Sequence, residues 1–355
     1  MEESRAFQRA IIFSDWPFKG YFKYKNEFQI FQDETLPQPQ ALSAHHPLVL
    51  EYYVNFPEEF YKKLTSVDYV RTLEDIDQVN DLCDKKFNTI LNLLTVFTPY
   101  HFFSYDRKKK NQDQAWFSSL GYLKDGKEVE TNLLSSYGAR AFSYLPSSTQ
   151  ESLSNLEGCF EIPLVERHLI KGLQTHTPTP FPNDTSELLS KFFSVDSSVQ
   201  SALLNSSVLF SNSIEATKIS YSLSFISLVS AIETLIHESS KNLEIKKCDK
   251  CGQDIYRVMK KFLEFLNQYG MDGFYRWFGG KANFDFKRIA NLFYELRSNI
   301  THRGELMLMD RLDIKSQDDL NELEALWLLS TVTSNCLVNW LKAQSVSLTV
   351  DPESN

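Results

Sequence analysis

The residues best suited to chemistry in this chain lie in one string, Tyr294–Glu305, which reads YELRSNITHRGE. It holds Arg297 and His302, with Ser298 and Asn299 between them. An imidazole titrates near neutral pH, so it can take a proton from the 2′-OH of RNA or give one to a leaving 5′-oxygen. A guanidinium can fork onto phosphate oxygens and offset the charge of a pentacovalent intermediate. This pair would support RNA cleavage without a catalytic metal, with Ser298 or Asn299 orienting either group.

The same string also has a purely structural interpretation. Cationic side chains near the end of a helix suit the negative end of its macrodipole, and Gly304 is a natural residue just past that end. On an α-helix, a spacing of five separates Arg297 and His302 by about 140° around the axis. We therefore expect the two side chains not to stack, although both can lean toward one polar groove. The spacing alone leaves both interpretations open.

Three features in succession resemble the HEPN superfamily, most closely its Apea-like branch of prokaryotic proteins. They are the helix FISLVSAIETLI, a CDKCG turn and the string LRSNITH at a helix end, which occupy residues 225–236, 248–252 and 296–302. The resemblance covers roughly residues 200–345. The family's core motif is an Arg, four to six residues and a His, often with a polar residue after the Arg. Here it corresponds to Arg297, Ser298, Asn299 and His302.

The resemblance implies a helical bundle that forms a homodimer, in which two motifs face each other as one composite ribonuclease site. Many members are metal-independent endoribonucleases of toxin–antitoxin, abortive-infection and other antiviral systems. Other members bind RNA or nucleotides without cutting. By position, Arg297 and His302 are the implied catalytic pair. One toxin branch has a tyrosine two residues after the His, where this chain has Gly304, which argues against that branch.

Glu233 is an acid in the middle of an otherwise apolar helical pattern. The resemblance implies a place near the site, because some members carry an acidic residue there. The alternative is a structural pair between this carboxylate and a partner such as Arg297 or a backbone amide. Both interpretations stay open.

A Cys248-x-x-Cys251 pair followed by Gly252 has the form of half a zinc knuckle. A structural zinc site needs four ligands, and this pair supplies two. Spacing does not locate the other two, so a structural zinc ion and an ordinary reduced loop both remain open. We expect catalysis itself to require no cofactor.

Basic residues are concentrated around the motif, although the whole chain is acidic. Residues 241–304 hold 13 Lys and Arg against 7 Asp and Glu, while the chain has a net charge of −9. Such a stretch can follow an RNA backbone, or it can be the solvated face of amphipathic helices. The candidate RNA-binding residues are Lys246, Lys247, Lys250, Arg257, Lys260, Lys261, Lys287, Arg288 and Arg303.

The elements that would position these residues belong to an α+β protein. Residues 1–180 alternate strand-like aromatic segments with one amphipathic helix at Leu73–Phe97, which predicts a mixed α/β domain. Alternate prolines in 175–182 forbid a continuous helix and favour a domain boundary. Residues 181–355 show helical periodicity, which predicts an all-α, HEPN-like bundle. Six helices are expected there, at 186–193, 198–212, 216–239, 253–269, 284–303 and 318–344.

Length and composition narrow the class of protein further. The chain has 355 residues and five cysteines, an odd number that suits a reducing compartment. No apolar run approaches the roughly 20 residues that span a bilayer, and the N-terminus lacks the pattern of a signal peptide. Net acidity argues against general coating of nucleic acid. We therefore expect a cytoplasmic protein without a membrane segment.

Together, these features predict a metal-independent endoribonuclease of prokaryotic antiviral or toxin-type defence. RNA is the expected partner, and the N-terminal domain is expected to recognise an activator or an antitoxin. Two alternatives remain: a non-catalytic HEPN module that binds RNA or nucleotide, and a dimerising scaffold.

Overall fold

The computed structural model describes residues 5–33, 46–66, 70, 72–104, 122–124, 127–129, 152–167, 179–241, 258–279, 284–311 and 317–345. The chain divides into two compact units, residues 1–183 and 184–355. The first unit is built on an antiparallel sheet and the second is mostly helical. The α+β class is therefore confirmed.

A five-stranded antiparallel sheet forms the centre of the first unit, in the order β2-β3-β4-β1-β5. Its strands are β1 Arg5–Ser14, β2 Tyr21–Tyr24, β3 Phe28–Phe31, β4 His46–Asn55 and β5 Phe102–Phe103. The two longest strands, β1 and β4, pair along their whole length from Arg5↔Asn55 to Ser14↔His46. Shorter strands form a hairpin (β6 Tyr122–Lys124, β7 Lys127–Val129) and a parallel pair (β8 Leu164–Val165, β9 Phe181–Pro182).

Two helices accompany this sheet, α1 Glu58–Thr65 and α2 Leu73–Phe97. Helix α2 has the bounds that its periodicity predicts. It begins with a capping box, in which the Thr72 side chain accepts from the Asp75 N–H and the Asp75 carboxylate accepts from the Thr72 N–H. Its buried side chains include Ile90 and Leu94, and Phe87 contacts Tyr52 of β4 at a ring-centroid distance of 6.1 Å.

A fully buried carboxylate, Glu51 in β4, ties the sheet to a distant segment of the same unit. It accepts hydrogen bonds from Gln29 Nε2 at 2.7 Å and from the N–H and Oγ of Ser154 at 2.7 and 2.6 Å. Arg9 Nε of β1 lies 3.4 Å from it. A buried charge is tolerated only when it is paired and hydrogen-bonded, and Glu51 meets both conditions.

Seven helices build the second unit: α3 Thr185–Ser194, α4 Ser197–Ala216, α5 Tyr221–Ser240, α6 Val258–Phe265, α7 Met271–Trp277, α8 Phe286–Ser298 and α9 Gln317–Ala343, counted over the described residues. Single π-helical turns follow α6 at Leu266–Gly270 and α8 at Asn299–Arg303, and a 3₁₀ turn lies at Leu308–Arg311. Helices α5 and α9 supply much of the core, including Phe225, Leu228, Ile232, Leu329, Val332, Leu337 and Trp340.

The break between α4 and α5 differs from the sequence expectation of one helix over 216–239. Helix α4 ends at Ala216 and α5 begins at Tyr221, because Ser220 is extended (φ −160°) and its Oγ accepts from the Leu223 N–H at 3.2 Å. A serine in this role satisfies an otherwise unpaired amide of the first turn.

The sequence also missed α7. This short helix packs closely on α9, and a Cβ on Gly273 would lie 2.8 Å from the Val332 Cα. None of the described helices combines the length and the apolar character needed to cross a membrane.

We expect Glu51→Ala to lower the free energy of unfolding by about 3 kcal/mol, because Gln29, Ser154 and Arg9 all lose their shared acceptor. Urea unfolding of the variant and of the exposed control Glu157→Ala checks this. Equal stability of the two variants would contradict a stabilising role for Glu51.

Candidate functional site

The motif lies where α8 changes into a π turn. The turn spans Asn299–Arg303 and ends at Gly304, which has φ 67° and ψ 20°. The N–H groups of Gly304 and Glu305 both bond to the Asn299 carbonyl, the first closing the wider ring of a π turn. Positive φ explains the glycine, since other L-residues rarely adopt that conformation. Single π turns inside or at the end of helices are rare and often mark functional sites.

This π turn brings Arg297 and His302 together. Arg297 Nη1 lies 3.3 Å from His302 Nε2. In a continuous α-helix the two side chains would lie about 140° apart around the axis, whereas here both lean to one side and touch. A π turn winds less per residue, so residues five apart approach the same face. Since a guanidinium only donates, this contact is a hydrogen bond in the tautomer whose unprotonated ring nitrogen is His302 Nε2.

Glu233, on the neighbouring helix α5, completes the cluster. Arg297 Nη2 donates to Glu233 Oε2 at 3.2 Å, and about a quarter of each side chain is exposed (23% and 26%). The second oxygen, Oε1, is buried and has no hydrogen-bond partner within the described part of the chain. The guanidinium thus bridges a carboxylate and an imidazole, and the Glu233–Arg297 pair is the one that the sequence analysis named as an alternative to a catalytic role for Glu233.

The cluster offers the groups that RNA cleavage needs. His302 is exposed, so its imidazole is accessible to a substrate hydroxyl. The Arg297 fork is held by Glu233 on one side, and its Nη1 contact with His302 is one that a phosphate oxygen can replace. Ser298 and Asn299 lie beside the pair and are half-buried.

Asp310, which the sequence analysis missed, holds the segment after the motif against the start of α5. Its carboxylate accepts from Ser220 Oγ at 2.8 Å and from the N–H groups of Tyr221 and Ser222, both at 2.7 Å. Burial alone would raise the pKa of Asp310, but these hydrogen bonds outweigh it and lower that pKa below its ordinary value. Helix α5 therefore has an N-terminal carboxylate from a distant loop, which also complements its dipole.

A second bond strengthens this connection, since the Met307 N–H donates to Ser222 Oγ at 2.8 Å. The only sequence signal for the connection is an acid shortly after a helix-ending glycine. That signal does not identify the helix that the acid caps.

Five of the basic candidates lie among the described residues, three of them in the π turn or on α6 and two at the far end of α8. Arg303 is exposed in the π turn itself. Lys260 and Lys261 are exposed on α6, where the adjacent Phe262 contacts Tyr294 of α8 at a centroid distance of 6.0 Å. Lys260 lies 3.5 Å from Glu264 in an ion pair.

Lys287 and Arg288 occupy the opposite end of α8 from the motif. At a rise of 1.5 Å per residue, they lie about 15 Å from Arg297 along the helix axis. They are exposed but not brought to the Arg297–His302 pair.

The remaining candidates, Lys246, Lys247, Cys248, Lys250, Cys251 and Arg257, lie outside the described residues. Among the residues that are described, no group of three or more His, Cys, Asp and Glu side chains is arranged to hold a metal ion. The zinc prediction is therefore neither supported nor contradicted.

Comparison of the chain with protein-family models, with curated proteins and with solved structures finds no match. The HEPN relationship therefore remains a hypothesis that rests on the sequence resemblance alone.

We expect Asp310→Ala to destabilise the second unit by about 1 kcal/mol at pH 7, because three donors at the start of α5 lose their acceptor. Since the folded-state pKa of Asp310 is lowered, its contribution is complete above the ordinary Asp pKa of about 3.9. That contribution is lost as the pH falls through the folded value.

Urea unfolding of wild type and Asp310→Ala at pH 7 and at about pH 3 measures the difference at each pH. The difference in the free energy of unfolding between wild type and Asp310→Ala should be smaller in acid. The exposed control Glu295→Ala should differ little from wild type at either pH. A gap between wild type and Asp310→Ala that grows in acid would contradict this assignment.

Proposed function

We propose that this chain is a metal-independent endoribonuclease of HEPN type. The observation that supports this most directly is the contact of the Arg297 guanidinium with both Glu233 and His302 at an exposed π turn. A guanidinium beside an imidazole matches the needs of phosphodiester cleavage, in which one group stabilises charge and the other moves a proton.

The proposed reaction is attack by the 2′-OH on the adjacent phosphorus. His302 Nε2 accepts the proton of that hydroxyl, and Arg297 binds the non-bridging phosphate oxygens while negative charge builds on them. Glu233 acts as a positioning residue that holds Arg297, and Ser298 or Asn299 supports the pair. The products are a 2′,3′-cyclic phosphate and a 5′-hydroxyl.

No metal is needed in this scheme because Arg297 supplies positive charge where a metal ion otherwise would. Lys260, Lys261 and Arg303 are exposed near the cluster or on a helix that packs beside α8, so they are the described residues best placed to contact the RNA backbone. A structural zinc ion at Cys248 and Cys251 would be separate from the reaction.

The wider biological role rests on the HEPN resemblance. The second unit would be a HEPN-like bundle that forms a homodimer with a composite site. The first unit would bind an activator or an antitoxin, and the protein would act in the cytoplasm in antiviral or abortive-infection defence. The two alternatives are a non-catalytic HEPN module that binds RNA or nucleotide, and a dimerising scaffold.

Incubation of wild type and His302→Ala with total RNA and tRNA in EDTA tests the proposal. We expect wild type to cleave and to leave cyclic-phosphate ends, and His302→Ala to cleave at least about 100-fold more slowly, since it lacks the proton acceptor. Glu295→Ala is the matched control, because Glu295 is exposed on the same helix and belongs to no part of the site.

Each other outcome favours a named alternative. RNA binding without cleavage by wild type would favour the non-catalytic module. Neither binding nor cleavage would favour the scaffold.

Arg297→Lys tests the role of the guanidinium. We expect it to keep the positive charge but to lose the fork that binds two phosphate oxygens, with a fall in cleavage rate of at least about 10-fold. Thermal unfolding measured alongside separates this effect from a loss of the Glu233 ion pair. Wild-type activity in Arg297→Lys would show that charge alone is sufficient.

A further inference from the structure

The first turns of α2, in the first unit, carry apolar side chains that the fold leaves exposed. Leu73 and Ile76 are 80% and 45% exposed, and Val70, just before the helix, is 84% exposed. Leu73 and Ile76 are three apart, so they are neighbours on the helix surface. The end of the same helix is different, since every apolar side chain in the stretch 90–97 is buried. Exposed apolar residues that lie together, unlike single ones, mark interaction surfaces.

These exposed residues continue the face of α2 that is buried further along. At about 100° per residue, Ile76, Cys83 and Ile90 lie within about 40° of one another around the helix axis. Cys83 and Ile90 are buried. The core-facing side of α2 therefore extends into its first turns, where the described part of the unit leaves Leu73 and Ile76 open to solvent.

The same turns are strongly acidic. Residues 72–84 contain no Lys, Arg or His and five acids, which are Glu74, Asp75, Asp77, Asp81 and Asp84. Three of these acids, Glu74, Asp77 and Asp81, are exposed. All three lie on one side of Leu73, at about 40–100° from it around the axis. A row of carboxylates therefore borders the exposed apolar residues.

Two sets of contacts hold this part of α2 in place, although it buries little apolar surface. The capping box between Thr72 and Asp75 fixes the first turn. Asp75 is itself buried and bonds to Lys63 Nζ of α1 at 2.7 Å. The exposed turns are thus already helical in the free protein, and a binding partner would not have to order them.

We propose that the first turns of α2 are a docking surface for a protein segment that presents apolar side chains beside Lys or Arg, such as a basic amphipathic helix. Leu73 and Ile76 would be buried by the apolar side of that segment, and Asp77 and Asp81 would face its cations. Nucleic acid is not the occupant, because the carboxylates repel phosphate. The chain's own net charge of −9 also disfavours a second copy.

This inference goes beyond the proposed ribonuclease function and does not depend on it. It concerns the first unit alone, and it states the chemistry that an activator or antitoxin would need in order to bind there. Its test therefore measures binding of a peptide to the full chain and requires no RNA.

The probe is a fluorescein-labelled peptide of leucine and lysine arranged at helical spacing, with leucine on one face and lysine on the other. We expect wild type to bind it at least about 10-fold more tightly than a peptide of the same composition in scrambled order, which has no apolar face. Leu73→Ala/Ile76→Ala should weaken binding at least about 10-fold, because alanine removes the apolar contact and keeps the helix. Asp77→Asn/Asp81→Asn should weaken binding and reduce its dependence on salt.

Two control variants change the same kinds of residue elsewhere. Val208→Ala removes an exposed apolar side chain of α4, and Glu157→Gln/Glu161→Gln removes two exposed acids of the first unit. Both should bind the peptide as wild type does, and thermal unfolding checks that every variant is folded.

Four results would each overturn the proposal. They are no binding of the peptide by wild type, equal affinity for the ordered and scrambled peptides, wild-type affinity in Leu73→Ala/Ile76→Ala, and an equal loss of affinity in the control variants. Sedimentation of the protein alone adds a fifth, since dissociation of a wild-type oligomer by Leu73→Ala/Ile76→Ala would make a second copy the occupant. Failure of RNA cleavage would leave this inference standing, and failure of peptide binding would leave the ribonuclease proposal standing.

Discussion

The ion pair between Arg297 and Glu233 is the interaction on which the rest of the candidate site depends. It joins α8 to α5 and fixes the direction of the guanidinium, with Nη2 on the carboxylate and Nη1 on His302. Without Glu233, the long Arg297 side chain would be free to sample many rotamers, and its contact with His302 would carry that entropy cost. One carboxylate on a neighbouring helix thus sets the direction of the guanidinium that, in the proposed reaction, would bind the phosphate.

That ion pair is effective only if α5 and the motif segment keep their relative positions. Two sets of contacts keep those positions, one before His302 in the sequence and one after it. Arg297 reaches Glu233 before it, and Asp310 and Met307 bind the first turn of α5 after it. The π turn between them provides the local change in winding that turns His302 toward Arg297. His302 is therefore positioned by the winding of the π turn and by the hydrogen bonds that hold the chain to α5 on both sides of it.

The sequence predicted those parts of the molecule that leave a periodic or chemical signal. Apolar spacing gave the bounds of α2, and residue type identified Arg297, His302 and Glu233 as members of one region. The π turn left no such signal, because a helix with one widened turn keeps nearly the same apolar pattern as a continuous one. Asp310 was missed because its role depends on which distant helix end it meets. The break between α4 and α5 was predicted at 213–215 but lies at 217–220, because apolar spacing does not mark where a helix begins and the Ser220 cap does.

The exposure of the Arg297–Glu233 pair bears on how a substrate could use it. Both side chains are about a quarter exposed (23% and 26%), and ion pairs in contact with water are worth only about 1 kcal/mol or less. A buried pair would hold Arg297 far more firmly and would resist a competing anion. A partly exposed pair instead orients the guanidinium at little cost and lets a phosphate share it through a second, charge-assisted set of hydrogen bonds. Among the described residues, the buried Oε1 of Glu233 has no hydrogen-bond partner, so the contact with Arg297 is made through Oε2 alone. In the proposed reaction, such a pair would combine preorganisation of Arg297 with access for a phosphate, and both are needed where a cation must bind a charged substrate.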